Sequence, residues 1–422
     1  MGGPLLAILI LGVQVVISRY VKNFARLPVM MCVTISLLFL GAGPCQSAKK
    51  PEIVCAQQIL MVNPHINKLL EVGDTKQRVL NALITKIRAE EQAGKLPCTI
   101  KWTGDYEVEG LYSELDQDMP VAIVPVAIMS DSLDSSHKAT DNKTFYKSVV
   151  VGSLYLLVCR GDANANELTM LGAIPVSGYD GVTLGGGLNT LRNNPPTLAE
   201  KADVYATIME RRIQNNLNLG DLKKYIKNIN KPADDTYEVV AVDMTAKRTE
   251  EIFGTHKEDV KAMLGSLYSA RFEETSKKIV YPPITMIAKA GTGDRSNAGN
   301  ESVADSINDS IFSLTGGISG SGAGMKVSMP QPNHKIRLNF SGAAWQELKG
   351  KKESSVVKNI GYKAWLRSQM DGGAERVVDD VKSVQYTIPA SGSITEDEKD
   401  RLPDIYTELL IRLSDKLASG KK

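Results

Sequence analysis

A chain of 422 residues with 50 Lys and Arg against 48 Asp and Glu carries a formal charge of only +2. That balance leaves no electrostatic footprint for nucleic acid and no polybasic segment for a membrane surface. Five cysteines over such a length exclude a disulfide scaffold, and the length allows about two to three domains.

Residues 1–48 hold no Asp or Glu, and Arg19, Lys22 and Arg26 stand between two apolar runs. The first run, Pro4 to Ile17, is short for a membrane span, while Val29 to Gly43 has the length of a signal-peptide core. Lys22 and Arg26 give its positive flank, and the small residues from Gly41 to Ala48 place cleavage near Ser47 or Ala48. The cleaner signal begins at Val21, so the expected translation start lies downstream of Met1. Pro44 stands where a lipid-modified Cys45 would need a small neighbour, which argues against a lipoprotein. The expectation is export to the periplasm, the cell envelope or the exterior; an uncleaved anchor or two-span hairpin is the alternative.

From residue 49 to 222 the pattern gives a first α/β unit. Glu52 to Val62 reads as a strand, and Thr75 to Ala93 as a helix with Asp74 as N-cap and Gly94 as stop. Leu96 to Trp102 is a strand, and Val121 to Met129, VAIVPVAIM, is a short apolar run of the kind buried on both faces. Pro125 inside it predicts an edge position or a bulge. Phe145 to Arg160 and Glu167 to Val176 form a long hairpin about the turn Gly161 to Asn166, and Ala199 to Leu217 closes the unit with a helix.

A polar joint follows at residues 223–236, and residues 237–422 repeat the order. Tyr237 to Thr245 is a strand, Lys257 to Ser276 a helix and Lys278 to Ala288 a strand. Lys335 to Phe340, Ser355 to Met370 and Arg376 to Ile388 complete the sheet, and Ile405 to Leu417 is the last helix. Gly291 to Pro330, rich in Gly and Ser, has the composition of a mobile insertion.

Four echoes point to duplication. VLNALITKIRAEE at Val79 to Glu91 returns as AMLGSLYSARFEE at Ala262 to Glu274. Leu80, Ile84 and Ile87 fall over Met263, Leu267 and Ala270 as one apolar face, while Arg88, Glu90 and Glu91 recur as Arg271, Glu273 and Glu274 on what reads as a solvent-facing helix end. Ile174 to Gly178 returns as Ile388 to Gly392, Asp203-Val204-Tyr205 as Asp404-Ile405-Tyr406, and Glu52 to Val54 as Glu238 to Val240. The expected fold is α+β: two tandem duplicated domains, each a mainly antiparallel sheet with a long hairpin packed by two helices.

Motifs for chemistry fail on spacing. Gly316 to Gly324 lacks the Lys followed by Ser or Thr of a phosphate loop, since Val327 follows Lys326, and Gly185-Gly186-Gly187 lacks a dinucleotide fingerprint. Asp162, Asn164 and Asn166 begin like a calcium loop, but Glu167 stands where Gly is required and Ala173 where the closing Glu belongs. His65, His137, His256 and His334 are isolated from one another and from any Cys pair at ligand spacing. Ser135 with Lys138, and Ser355 with Lys358, match Ser-x-x-Lys without its companion segments, and Asp131, Asp134 and Asp141 around the first pair read as a solvated loop. The sequence therefore assigns no catalytic residue, no metal ligand and no cofactor. Cys55, Cys98 and Cys159 are either free core thiols or include one disulfide.

The order strand, helix, strands, long hairpin, helix, with its VAIVPVAIM strand, resembles the periplasmic α/β domains of curli-secretion-channel proteins and the amino-terminal domain of the Tol-system periplasmic protein. Val121 to Met129 lies later in the unit than that family's opening strand, and no functional residue carries over. The resemblance implies an envelope-associated module that binds other proteins or assembles with itself. The expected function is thus an exported, non-enzymatic binding or assembly protein with envelope or extracellular protein partners, self-association included. A hydrolase with its site between the two copies and a surface-layer subunit are the alternatives.

Overall fold

The computed structural model describes residues 50–61, 66–102, 121–138, 144–162, 167–181, 194–227, 229, 235–284, 326–328, 330–348, 357–387 and 402–420. The first half runs β1 (Glu52–Cys55), β2 (Leu60–Met61), α1 (Thr75–Gln92), β3 (Thr99–Trp102), β4 (Val121–Lys138), β5 (Thr144–Asp162), β6 (Glu167–Gly181) and α2 (Leu198–Asn216). A short helix α3 (Leu222–Lys227) leads to the second half, β7 (Thr236–Met244), α4 (Thr249–Phe253), α5 (Lys257–Ser276), β8 (Ile279–Tyr281), β9 (Lys326–Ser328), β10 (His334–Leu348), β11 (Val357–Met370), β12 (Arg376–Thr387) and α6 (Leu402–Ser419). The fold is α+β.

Local chemistry explains most boundaries. α1 buries Val79, Leu80, Leu83 and Ile87 along one face, and the chain leaves it through Gly94 at φ +69°, a left-handed conformation that favours glycine. α2 begins at a capping box, in which Thr197 Oγ1 accepts from Glu200 N–H and Glu200 Oε2 accepts from Thr197 N–H. β4 to β6 are rich in Val, Ile and Leu and form one antiparallel meander.

The first sheet has the order β3-β1-β4-β5-β6-β9, with β2 paired to β4; the second has β12-β11-β10-β7-β8. β1 lies parallel to β3 and β4, just as β7 lies parallel to β8 and β10. Both sheets belong to one compact unit, Pro51–Lys422. On one face of the first sheet, Ile123, Leu154 and Ile174 meet Leu83 and Ile87 of α1 and Tyr205 and Met209 of α2. On its other face Val54, Val124, Tyr155 and Leu157 meet Ala262 of α5 and Tyr281 and Ile284 beyond it. α5 turns Met263, Leu264 and Leu267 toward Val239, Leu338 and Leu366 of the second sheet. Helices, sheet, helices and sheet therefore stack as four layers, and α5 is buried on both sides. The outward face of the second sheet is open, with Lys335, Arg337, Arg367, Val377 and Val381 exposed.

Several expectations need correction. The strand from Glu52 breaks into β1 and β2, and Pro125 sits in the interior strand β4, opposite Leu156. Ile123 O accepts from Ala56 N–H, so Pro125, two residues on, turns its backbone to the same side. There it faces the break between β1, which pairs with Ala122 and Ile123, and β2, which pairs with Val126 and Ala127, so no ladder bond is lost. The joint at 223–236 is not simply polar linker: α3 buries Leu222 and Tyr225 in the core of the first half. The strand expected from Lys278 to Ala288 shortens to Ile279–Tyr281, with 285–288 outside the described residues. Glu273 is not solvent-facing but 3% exposed.

Candidate functional site

β4 and β5 outrun their neighbours, and past Met129 the sequence of β4 turns from apolar to Ser130, Asp131, Ser132 and Asp134. This polar end meets the starts of α5 and α6, where the two halves join. Asp131 Oδ2 takes an ion pair from Lys68 at 3.2 Å. Asp134 accepts from Ser148 Oγ at 2.6 Å and from Lys201 Nζ at 2.5 Å. Lys147 Nζ of β5 lies 2.5 Å from Asp404 Oδ1 of α6, with side chains only 5% and 7% exposed. His256 Nδ1 lies 3.8 Å from Asp259. Burial, and next the Asp131 charge, hold the Asp259 carboxyl above its usual range.

Leu133, Asp134, Ser135, Phe253, His256 and Asp404 wall a pocket of about 10 Å³, room for one water molecule. It brings Ser135 and Asp134 beside His256. Yet Asp134 is engaged by Lys201 and Ser148, and Asp404 by Lys147. These carboxylates neutralise buried lysines, which is how a polar joint is held together without stranding charge.

A second polar cluster lies where α3 meets α5. Tyr225 Oη sits 3.0 Å from Ala173 O of β6 and 3.2 Å from Glu273 Oε1. Burial raises the Glu273 carboxyl well above the ordinary carboxylate range, despite the nearby Lys224. The Tyr225 hydroxyl is raised too, first by burial and then by Glu273. Gly172 makes the contact possible, because a Cβ there would come within 2.1 Å of the Tyr225 ring.

The third feature is an edge. β12 is the last strand of the second sheet, and Val377 and Val381 on it are 50% and 49% exposed. Lys416 Nζ donates to Asp379 O at 3.3 Å, and Val381 N–H donates to Asp380 Oδ1 at 3.0 Å, so the middle of the edge is guarded by charged side chains.

Lys138 closes β4, Lys358 lies on β11 and Asp162 ends β5, while Asp141, Ser355, Asn164, Asn166, Gly185–Gly187, Gly316–Gly324 and His65 fall outside the described residues. Lys326 opens β9, the described part of the expected insertion, and His137 lies on β4. His334 stacks on Tyr237 at 4.6 Å and lies 3.3 Å from Asp235. Cys55, Cys98 and Cys159 are buried thiols not joined in disulfides, and burial pushes the Cys159 thiol up to about 12. No group of three or more potential metal ligands occurs among the described residues, and none of their helices is long and apolar enough to cross a membrane. Sequence reasoning missed the Glu273–Tyr225 contact and the Lys147–Asp404 pair; the absence of a polar face in AMLGSLYSA is the signal that α5 is covered on both sides.

No family model matches the chain, and no curated protein matches it.

Proposed function

We propose that the chain is an exported, envelope-associated, non-enzymatic binding or assembly protein whose two halves arose by duplication. The observation that carries this reading is the way the first sheet grows: β9, from the second half, adds in parallel to the β6 edge, while the corresponding edge β12 has nothing paired to it among the described residues. Strand addition supplies affinity through main-chain hydrogen bonds and needs no cofactor. The common strand order of the two sheets supports duplication. So does the placement of the echoed residues: Glu52–Val54 and Glu238–Val240 both lie in a first strand, and Tyr205 and Tyr406 are both buried on a last helix. Export rests on residues 1–48 and their signal-like pattern.

Fractionation with sequencing of the mature N-terminus tests export. A mature form beginning near Lys49 outside the cytoplasm is expected, and intact residues 1–48 in a membrane fraction would sink cleavage. A pull-down from the native envelope tests binding, and its repeat with residues 291–330 shortened asks whether the insertion takes part. Specific recovery of a protein, reduced by the shortening, is the expected result.

A hydrolytic site at the joint is the second reading, favoured by Ser135, His256 and Asp404 sharing one pocket wall. Turnover of ester or amide substrates that disappears in Ser135→Ala would establish it.

A further inference from the structure

Tyr225 has one hydroxyl proton and two acceptors in reach, Ala173 O of β6 at 3.0 Å and Glu273 Oε1 of α5 at 3.2 Å. A backbone carbonyl only accepts, so both contacts are hydrogen bonds only when a second proton is present, and the carboxyl is the group that can carry it. Glu273 then donates to Tyr225 Oη, and Tyr225 donates to Ala173 O. An ionised Glu273 leaves one of the two acceptors without a donor. Its other oxygen, Oε2, is buried with no hydrogen-bond partner among the described residues. An unpaired buried acceptor costs a neutral group less than it costs a charged one. Burial raises the Glu273 carboxyl as well, in agreement with the donor count.

The charges around the carboxyl do not replace the proton. Lys224 of α3 favours the ionised form, but its Nζ lies 3.1 Å from Asp221 Oδ1. Asp221, just before α3, and Glu274 of α5 both oppose a further negative charge. The buried Tyr155 hydroxyl faces the site from β5 and is itself pushed up, first by burial and then by Glu273.

The contact sits where α5 of the second half, β6 of the first and the joint helix α3 meet. α3 is only 6 residues long, too short to persist without its docking. Leu222 and Tyr225 anchor it, and the Tyr225 ring reaches Ala173 across Gly172, where a Cβ would collide with it. Whatever governs the Tyr225 hydrogen bonds therefore governs where α3 rests.

We propose that Glu273, Tyr225 and Ala173 O form a proton-operated latch, which pins α3 between the two halves while Glu273 holds its proton and releases it when the proton passes to water. The sign follows from the closed form binding that proton more tightly. The latch holds at low pH, and from the ordinary glutamate range of about 4.3 up to the raised value each pH unit favours the open form about tenfold.

Hydrogen exchange read by mass spectrometry, on the chain from Lys49 onward, which contains the whole compact unit, tests this between about pH 5 and pH 8. Rates are referred to those of unstructured peptides at each pH. Peptides covering α3 are expected to lose protection at least about tenfold over that range. They are also expected to exchange ahead of peptides from the middle of α1, because the latch opens without unfolding the core. Glu273→Gln, whose amide donates to Tyr225 at every pH, is expected to keep α3 protected throughout, with circular dichroism showing that it folds. In the infrared, the carbonyl stretch of a neutral carboxyl is expected in the wild type, fading as α3 loses protection, and its Glu273 part is expected to be missing from Glu273→Gln. Wild-type α3 protection that does not fall with pH would overturn the proposal, as would α3 and α1 peptides that exchange together at every pH; neither result depends on the variant. An equal fall in a folded Glu273→Gln would overturn it too.

Discussion

Glu273 is held in an environment far from what its chemistry prefers. It is a carboxyl 3% exposed, between α5 and the first sheet, with Tyr225 Oη at 3.2 Å. Burial raises its pKa well above the ordinary value. A carboxyl with a raised folded pKa holds its proton more tightly in the folded chain, so stability falls as pH rises from the unfolded range of about 4.3 through the folded pKa. Glu273→Gln keeps a partner for Tyr225 and removes the titration. The variant is expected to gain on the wild type as pH rises from 5 to 8, by about 1–3 kcal/mol at the upper end, as read from denaturant midpoints. A difference that does not change with pH would mean the carboxyl is already ionised. The Lys147–Asp404 pair behaves differently, because both members are charged and buried. Asp404→Ala strands the ammonium and is expected to cost about 3–5 kcal/mol. Lys147→Met with Asp404→Leu removes both charges and should cost much less; a double loss equal to the sum of the two single losses would show that the pair is not coupled.

At the scale of elements, α3 shows how a polar-looking joint becomes part of a core. Tyr225 crosses onto β6 at Gly172, where a Cβ would lie 2.1 Å from Cε1 of the ring. Gly172→Ala therefore has to push α3 outward, at an expected cost of about 1–3 kcal/mol. Combined with Tyr225→Ala the cost should be less than additive, since the second change removes the obstacle; additive losses in urea titrations would place the strain elsewhere. The elements themselves were largely legible. Lys257 to Ser276 is a helix with the bounds its periodicity gives, and α2 starts one residue before Ala199 because Thr197 and Glu200 form a box. What local pattern could not carry was company. Pro125 reads as an edge residue, and only the gap between β1 and β2 makes it tolerable in the interior. Glu273 reads as the solvated end of a helix like Glu90, which pairs with Lys86 at 2.9 Å. The difference is that α1 has a sheet on one side and α5 has sheets on both. The exposure of Val377 and Val381 likewise follows from the place of β12 at the end of the strand order, which no spacing within the strand encodes.

Across the whole molecule the two halves differ most on the surfaces they turn away from their own helices. The back of the first sheet is Val54, Val124, Val126, Tyr155 and Leu157, all buried against the second half. The back of the second sheet carries Lys335, Arg337 and Arg367 in solvent. The outward faces of the helices differ in the same sense, with Gln77, Asn81 and Arg88 of α1 exposed, whereas α5 is enclosed. Polar outer faces are what the end layers of a stack present to solvent. Mutual burial also means that neither half completes its core alone: Met129, Leu133, Val149 and Val151 of the first half sit in the same cluster as Val239, Leu338 and Leu410 of the second. The two should then unfold together. The three tryptophans allow a direct reading, with Trp102 on β3 in the first half and Trp345 and Trp365 on β10 and β11 in the second. A chain keeping only Trp102 and one carrying Trp102→Phe report on opposite halves. Their fluorescence transitions in denaturant are expected to coincide once each variant is referred to its own circular-dichroism midpoint, as a single cooperative unit requires. Two separated transitions would instead mean that each sheet with its helices is stable by itself, and that the apolar back of the first sheet tolerates exposure the layering argues it cannot.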